Sequence, residues 1–124
     1  MSGETDLAKL LRGLDPERLP GAWAFEHRPG GTMVDLPADA LGAFREAEGL
    51  TVIRPAEGDA PRFACITLRV HSSLEAVGLT AAVATTLAAD GIAANVVAAA
   101  LHDHVFVPED RAEEALAALR RLAG

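Results

Sequence analysis

The chain has 124 residues, 11 basic against 18 acidic side chains, a net charge of -7 and one cysteine. A length of this order supports one compact domain or two half-size units, and buries about two thirds of the unfolded surface without disulfides. The acidic balance excludes a basic, phosphate-neutralising surface and so a nucleic-acid partner, while the lone Cys65 excludes an internal disulfide or a thiolate zinc centre and fits a reducing, cytoplasmic compartment.

In chain order, Leu7, Leu10, Leu11 and Leu14 recur at helical spacing behind Thr5 or Asp6 as a cap, which predicts a short docking helix ending near Gly13. Acids at Glu4 and Asp6 stand where a secretory leader would carry positive charge, so no leader is expected. Trp23 and Phe25 lie in a strand from Gly21 to His27, and Arg28-Pro29-Gly30-Gly31 forms a turn into a second short strand, Thr32 to Leu36, giving a hairpin. Pro37 then opens a helix through Glu48 with Leu41, Phe44 and Ala47 as its stripe, stopped by Gly49 before a strand from Leu50 to Arg54. The polar stretch Pro55 to Pro61 reads as a linker, dividing the chain into an N-terminal half, residues 1–58, and a C-terminal domain, residues 59–124.

The second half carries the clearer pattern. Ala64, Ile66, Leu68 and Val70 alternate with Phe63, Cys65, Thr67 and Arg69, the mark of a strand covered on one side. Ser72 and Glu75 have capping-box spacing and predict a helix running on to about Asp90, with Leu79, Val83 and Leu87 as its stripe and Gly91 as its stop. Ile92 to Leu101 reads as a buried strand, too short and too polar at Asn95 to span a membrane; His102 and Asp103 form the turn and His104 to Val107 the returning strand. Pro108, the acids Glu109 and Asp110, and the bases Arg120 and Arg121 frame a last helix with Ala112, Ala115, Leu116, Leu119 and Leu122 on one face. The order strand, helix, strand, strand, helix is a ferredoxin-like pattern short of one strand. The fold class is therefore α+β, an antiparallel sheet with helices mainly on one face. Its completing strand comes either from the first half or from a second copy of the chain, and a homodimer is expected.

The run Thr67 to Ala82, the pair Gly91-Ile92, then Asn95-Val96-Val97 and His102 to Val107 resemble the small stand-alone bacterial ACT-domain proteins of the aspartate-kinase-like, CASTOR-related type; Phe44 to Thr51 extends the likeness into an ACT-like first half. The resemblance implies a non-catalytic regulatory protein that binds an amino acid or similar small metabolite and needs no cofactor. It places the ligand at His71, Ser72, Ser73, Leu74, Glu75, Val77, Gly78 and Leu79, with Gly78 against the ligand's α-carbon, and at Asn95 and Val96 of an adjoining sheet edge. Free amides at a helix start suit a carboxylate there.

Two other chemistries compete. His102 and His104 share one side of a strand and, with His71, form a possible divalent-metal set; the alternative is a polar turn with its imidazoles tied to the main chain. His71, Ser72 and Glu75 are better explained as capping than as a nucleophile with its base, since no strained Gly-x-Ser-x-Gly elbow is present. A purely structural dimerisation module is the remaining reading.

Overall fold

The computed structural model describes residues 3–124; Met1 and Ser2, the start of the segment read as lacking a leader, lie outside it. The elements are α1 (Leu7–Arg12), β1 (Pro16–Arg18), β2 (Trp23–Pro29), β3 (Gly42–Glu46), β4 (Gly49–Pro55), β5 (Phe63–Leu68), α2 (Leu79–Ala89), β6 (Asn95–Ala98), β7 (Asp103–Pro108) and α3 (Ala112–Ala123). They fall into two units: residues 3–20 together with Ala64–Gly124, and Gly21–Phe63 between them in sequence.

In the first unit the strands lie in the order β1-β5-β7-β6. β1 runs antiparallel to β5 with Pro16 opposite Leu68, and β6 runs antiparallel to β7 with Asn95 opposite Phe106. The strand that completes the ferredoxin-like sheet is thus β1, from the chain's own N-terminal segment. All three helices join one core. Leu10 of α1, Leu79, Val83 and Leu87 of α2, and Ala115, Leu116 and Leu119 of α3 close over Ala64, Ile66, Leu68, Val105 and Val107. Alanines at the α3 contact let that helix approach closely, so a core poor in aromatics still excludes water.

Local signals explain the helices. Asp6 caps α1 by accepting from the Lys9 amide at 3.1 Å. Glu113 and Glu114 sit in the first turn of α3 and Arg120 and Arg121 in its last, as the helix dipole favours. At the other helix the reading needs correction: α2 begins at Leu79, not at a Ser72–Glu75 capping box, because Gly78 at φ +100° turns the chain into the helix. The strand predicted over Ile92–Leu101 shortens to β6, and β7 starts at Asp103, one residue earlier than expected. β5 is buried on both faces: Cys65 and Thr67, opposite the helices, are 0% and 2% exposed. Burial pushes the Cys65 thiol up to about 11, which leaves it an inert small hydrophobe.

The second unit is an antiparallel three-stranded sheet in the order β3-β4-β2. Its core is Ala22, Ala24, Leu50, Val52 and Ile53, and Phe25 meets Phe63 edge to face at 5.2 Å between ring centres. Two expectations fail here. The partner of β2 is β4, with Trp23 opposite Pro55 and Phe25 opposite Ile53, while Thr32 to Leu36 is no strand but a 3-10 turn closed by a reciprocal Thr32–Asp35 capping box. The helix predicted from Pro37 to Glu48 is β3, in which Phe44 stands opposite Thr51 and Ala43 opposite Val52. Gly49 makes that hairpin possible: it sits at φ +134°, and a Cβ there would lie 2.3 Å from the Arg28 carbonyl oxygen. Gly49→Ala is accordingly expected to destabilise the protein by more than about 1 kcal/mol, read as a lowered urea midpoint; an unchanged midpoint would refute this account of the hairpin.

Candidate functional site

The segment between β5 and α2 is an ordered loop fixed by the N-terminal residues. The Arg69 amide donates to the Asp15 carbonyl at 3.2 Å and the Val70 amide to that of Leu14 at 3.3 Å. Glu4 binds the loop twice, its amide donating to the His71 carbonyl at 2.9 Å and its carbonyl accepting from the Ser73 amide at 3.0 Å. Gly3 lies so close that a Cβ there would come within 2.6 Å of the Ser72 and Ser73 backbone. Within the loop, Ser73 Oγ accepts from the Glu75 amide at 3.1 Å, so the serine that caps is Ser73 and what it caps is a turn.

Under this loop lies a cavity of about 50 Å³, lined by Ser72, Ser73, Leu74, Ala76, Leu79, Thr80, Ala98 and Asp103. Of the residues expected to bind ligand, it gathers Ser72, Ser73, Leu74 and Leu79. His71, Glu75, Val77, Gly78, Asn95 and Val96 are not among its walls. Val77 is 84% exposed, and Gly78 faces Leu7, whose Cδ2 would lie 3.1 Å from an added Cβ. Left-handed backbone and this packing account for the glycine.

Sequence reasoning missed Asp103, taking it for a turn residue. It is the first residue of β7 and only 6% exposed. Burial raises its pKa, against a smaller opposing effect of His104. A carboxyl at the head of the apolar strand Val105 to Val107 was the available signal, since buried acids are rare without a task. Thr80, the second residue of α2, adds a hydroxyl. The amides of Leu79, Thr80 and Ala81 precede the first intrahelical bond, from Ala82 to the Gly78 carbonyl at 2.9 Å, so this wall carries unpaired donors.

The histidines are held by the protein itself. His102 Nδ1 lies 3.3 Å from the Val70 carbonyl oxygen and His104 Nδ1 lies 2.9 Å from Thr67 Oγ1. Among the described residues no three His, Cys, Asp or Glu side chains converge as a metal set. Burial, then the nearby His102, depresses the pKa of His104. These shifts act in opposite directions on stability. The raised Asp103 contributes stability that is present below the unfolded carboxyl pKa and lost as pH rises through its folded value; the depressed His104 contributes stability present above the unfolded imidazole pKa and lost as pH falls through its folded value. Denaturation across pH is expected to show the loss on raising pH through the carboxyl range disappear in Asp103→Asn and the loss on lowering pH below the imidazole range disappear in His104→Gln. Parallel profiles for wild type and both variants would disprove it.

Two family models describe the chain, each an ACT domain, one matching residues 2–61 and the other 62–121. The chain belongs to the ACT-domain family. As an ACT protein it is similar to a Vibrio cholerae protein of unknown function, described as a possible transport protein, whose crystal structure matches with a TM-score of 0.80 and 43% identity over 90% of this chain and 92% of that one. An Agrobacterium tumefaciens protein, 18% identical over 87% of each chain, has a TM-score of 0.67 and shares the fold. No curated protein matches the sequence. ACT domains are small-molecule-binding regulatory domains that commonly bind amino acids and dimerise. The two ACT matches meet between residues 61 and 62, whereas in space residues 3–20 pack with the second half. No helix among the described residues is long and apolar enough to cross a membrane.

Proposed function

We propose that this protein is a non-catalytic cytoplasmic sensor that binds an amino acid or closely related amine-bearing metabolite at the β5–α2 loop and acts as a homodimer. One observation carries the reading: Asp103, an acidic residue only 6% exposed, lines a small cavity whose other polar walls are the hydroxyl residues Ser72, Ser73 and Thr80. A ligand ammonium group satisfies that carboxyl, and the unpaired amides at the start of α2 suit the ligand carboxylate. The cavity is smaller than an amino acid, so the ligand's remaining atoms extend past the loop towards the outer edge of the sheet. There β6 is the last strand of its unit, carrying Asn95 and Val96, and its open edge is suited to pairing with a second copy. Binding that needs both copies couples occupancy to association, which is what a regulatory response requires.

Thermal denaturation of the purified protein against the proteinogenic amino acids, their deaminated analogues and divalent metals tests this. A ligand at a hundred times its Kd adds about 2.7 kcal/mol, several degrees for a chain of this size. Selective stabilisation by an amino acid is expected; stabilisation by metal alone, or by nothing, overturns the reading.

A further inference from the structure

Two buried side-chain donors among the described residues have no acceptor, Trp23 Nε1 and Arg54 Nε. Arg54 also lines a cavity of about 220 Å³ contained within residues 21–63, walled besides by Ala24, Glu26, Pro55 and Glu57, and its Nε lies buried behind that wall. β2 and β4 build it. Arg54 stands opposite Ala24 and Val52 opposite Glu26, so Arg54 and Glu26 are diagonal neighbours on one face of the sheet.

The charges are arranged asymmetrically. Arg54 Nη2 donates to Glu57 Oε1 at 3.2 Å, while its Nη1 lies 3.6 Å from Glu26 Oε2, too far for a hydrogen bond. Glu26 is instead held by Arg28 Nε, whose hydrogen bond is the main cause keeping its carboxyl below the usual range. Glu57 is the loosest member: its side chain is 73% exposed against 21% for Arg54. Nε and Nη2 form the edge of a guanidinium that grips a carboxylate with two parallel bonds, and here only one of the two is used. An exposed partner such as Glu57 yields that edge readily. Arg28 and Arg54 balance Glu26 and Glu57, so the site as a whole favours a neutral guest carrying both signs.

We propose that this cavity is a second small-molecule site, for a small zwitterion of the α-amino-acid type: its carboxylate takes the Nε–Nη2 edge of Arg54, and its ammonium lies between Glu26 and Glu57. Glu57 swings outward to admit the guest and then closes on the ammonium. The site uses none of the residues around Asp103 and stands or falls separately from that cavity.

The test is a nitrogen-15 NMR titration of the full chain with glycine and L-alanine, using acetate and methylammonium as single-charge probes. The expected result is movement of the Arg54 Nε–H resonance and of the Ala24 and Glu26 amides with either amino acid, with acetate and methylammonium each about tenfold weaker or worse. Arg54→Lys, which loses the two-donor edge, and Glu57→Gln, at an exposed position where folding is not at stake, are each expected to weaken binding about tenfold, equivalent to one charge-assisted contact. Unmoved wall resonances, acetate binding as tightly as glycine, or undiminished binding by Glu57→Gln overturns the proposal. The Ser72 and Asp103 amides report the other cavity in the same spectra, so failure at one site is distinguished from failure at the other.

Discussion

Asp103→Asn is expected to lower affinity for the amino-acid ligand about ten- to a hundredfold while leaving the ligand-free protein as stable as before, or more so. The two effects have one origin. Asp103 is only 6% exposed and burial raises its pKa against a smaller effect of His104, so without ligand its charged form bears a net desolvation cost that the neutral amide reduces. With ligand, the carboxylate accepts charge-assisted hydrogen bonds from the ammonium, worth about 1.5–3 kcal/mol, which an amide reproduces only in part. Melting curves of wild type and variant, with and without the stabilising amino acid, read both. A variant that melts lower without ligand and gains the full shift with it would show that Asp103 is a structural residue.

Leu87→Ala is expected to cost about 2–5 kcal/mol, a loss on the scale of the most damaging core truncations. Leu87 is fully buried on α2 within the core shared by all three helices and by β5 and β7. In a closely packed core the surroundings relax only in part into the vacated space, so a cavity remains. A net stability of about 5–15 kcal/mol leaves little margin for such a loss. Leu74→Ala, by contrast, removes a side chain 68% exposed on the loop and is expected to change stability by less than about 0.5 kcal/mol. Urea denaturation of the pair measures the difference; comparable midpoints would contradict the assignment of the core.

The second half was legible because its signals were redundant. Leu79, Val83 and Leu87 repeat at helical spacing and Gly91 stops the chain; the alternation through Ala64, Ile66 and Leu68 is long enough to fix strand and face together. Between Pro37 and Glu48 the same rules misled. Arg45, Glu46, Ala47 and Glu48 all favour helix intrinsically, and a proline before with a glycine after framed them as one. What decides β3 is pairing with β4, including the Thr51 hydroxyl bond to Glu46, a non-local gain that outweighs propensity. Thr32 and Asp35 have capping-box spacing, the local signal for a 3-10 turn where alternation alone suggests a strand.

The candidate site was half legible for a related reason. Ser72, Ser73, Leu74 and Leu79 lie in one stretch of sequence and were found together. Asp103 comes from a different strand, and only the sheet order β5-β7 brings it beneath the loop. The part played by Gly3 and Glu4 in fixing the loop left no local trace, because backbone bonds to a distant segment carry no side-chain signature.

The position of β1 bears on how the chain acquires its structure. Pro16 pairs with Leu68 across the whole of residues 21–63, so α1 and β1 leave the ribosome before β5 and have no sheet to join until it has followed. Contacts of such separation make a slow search. Folding of the first unit is therefore governed by the closure of that long loop, and prior folding of β2 to β4 would draw its two ends together and speed it.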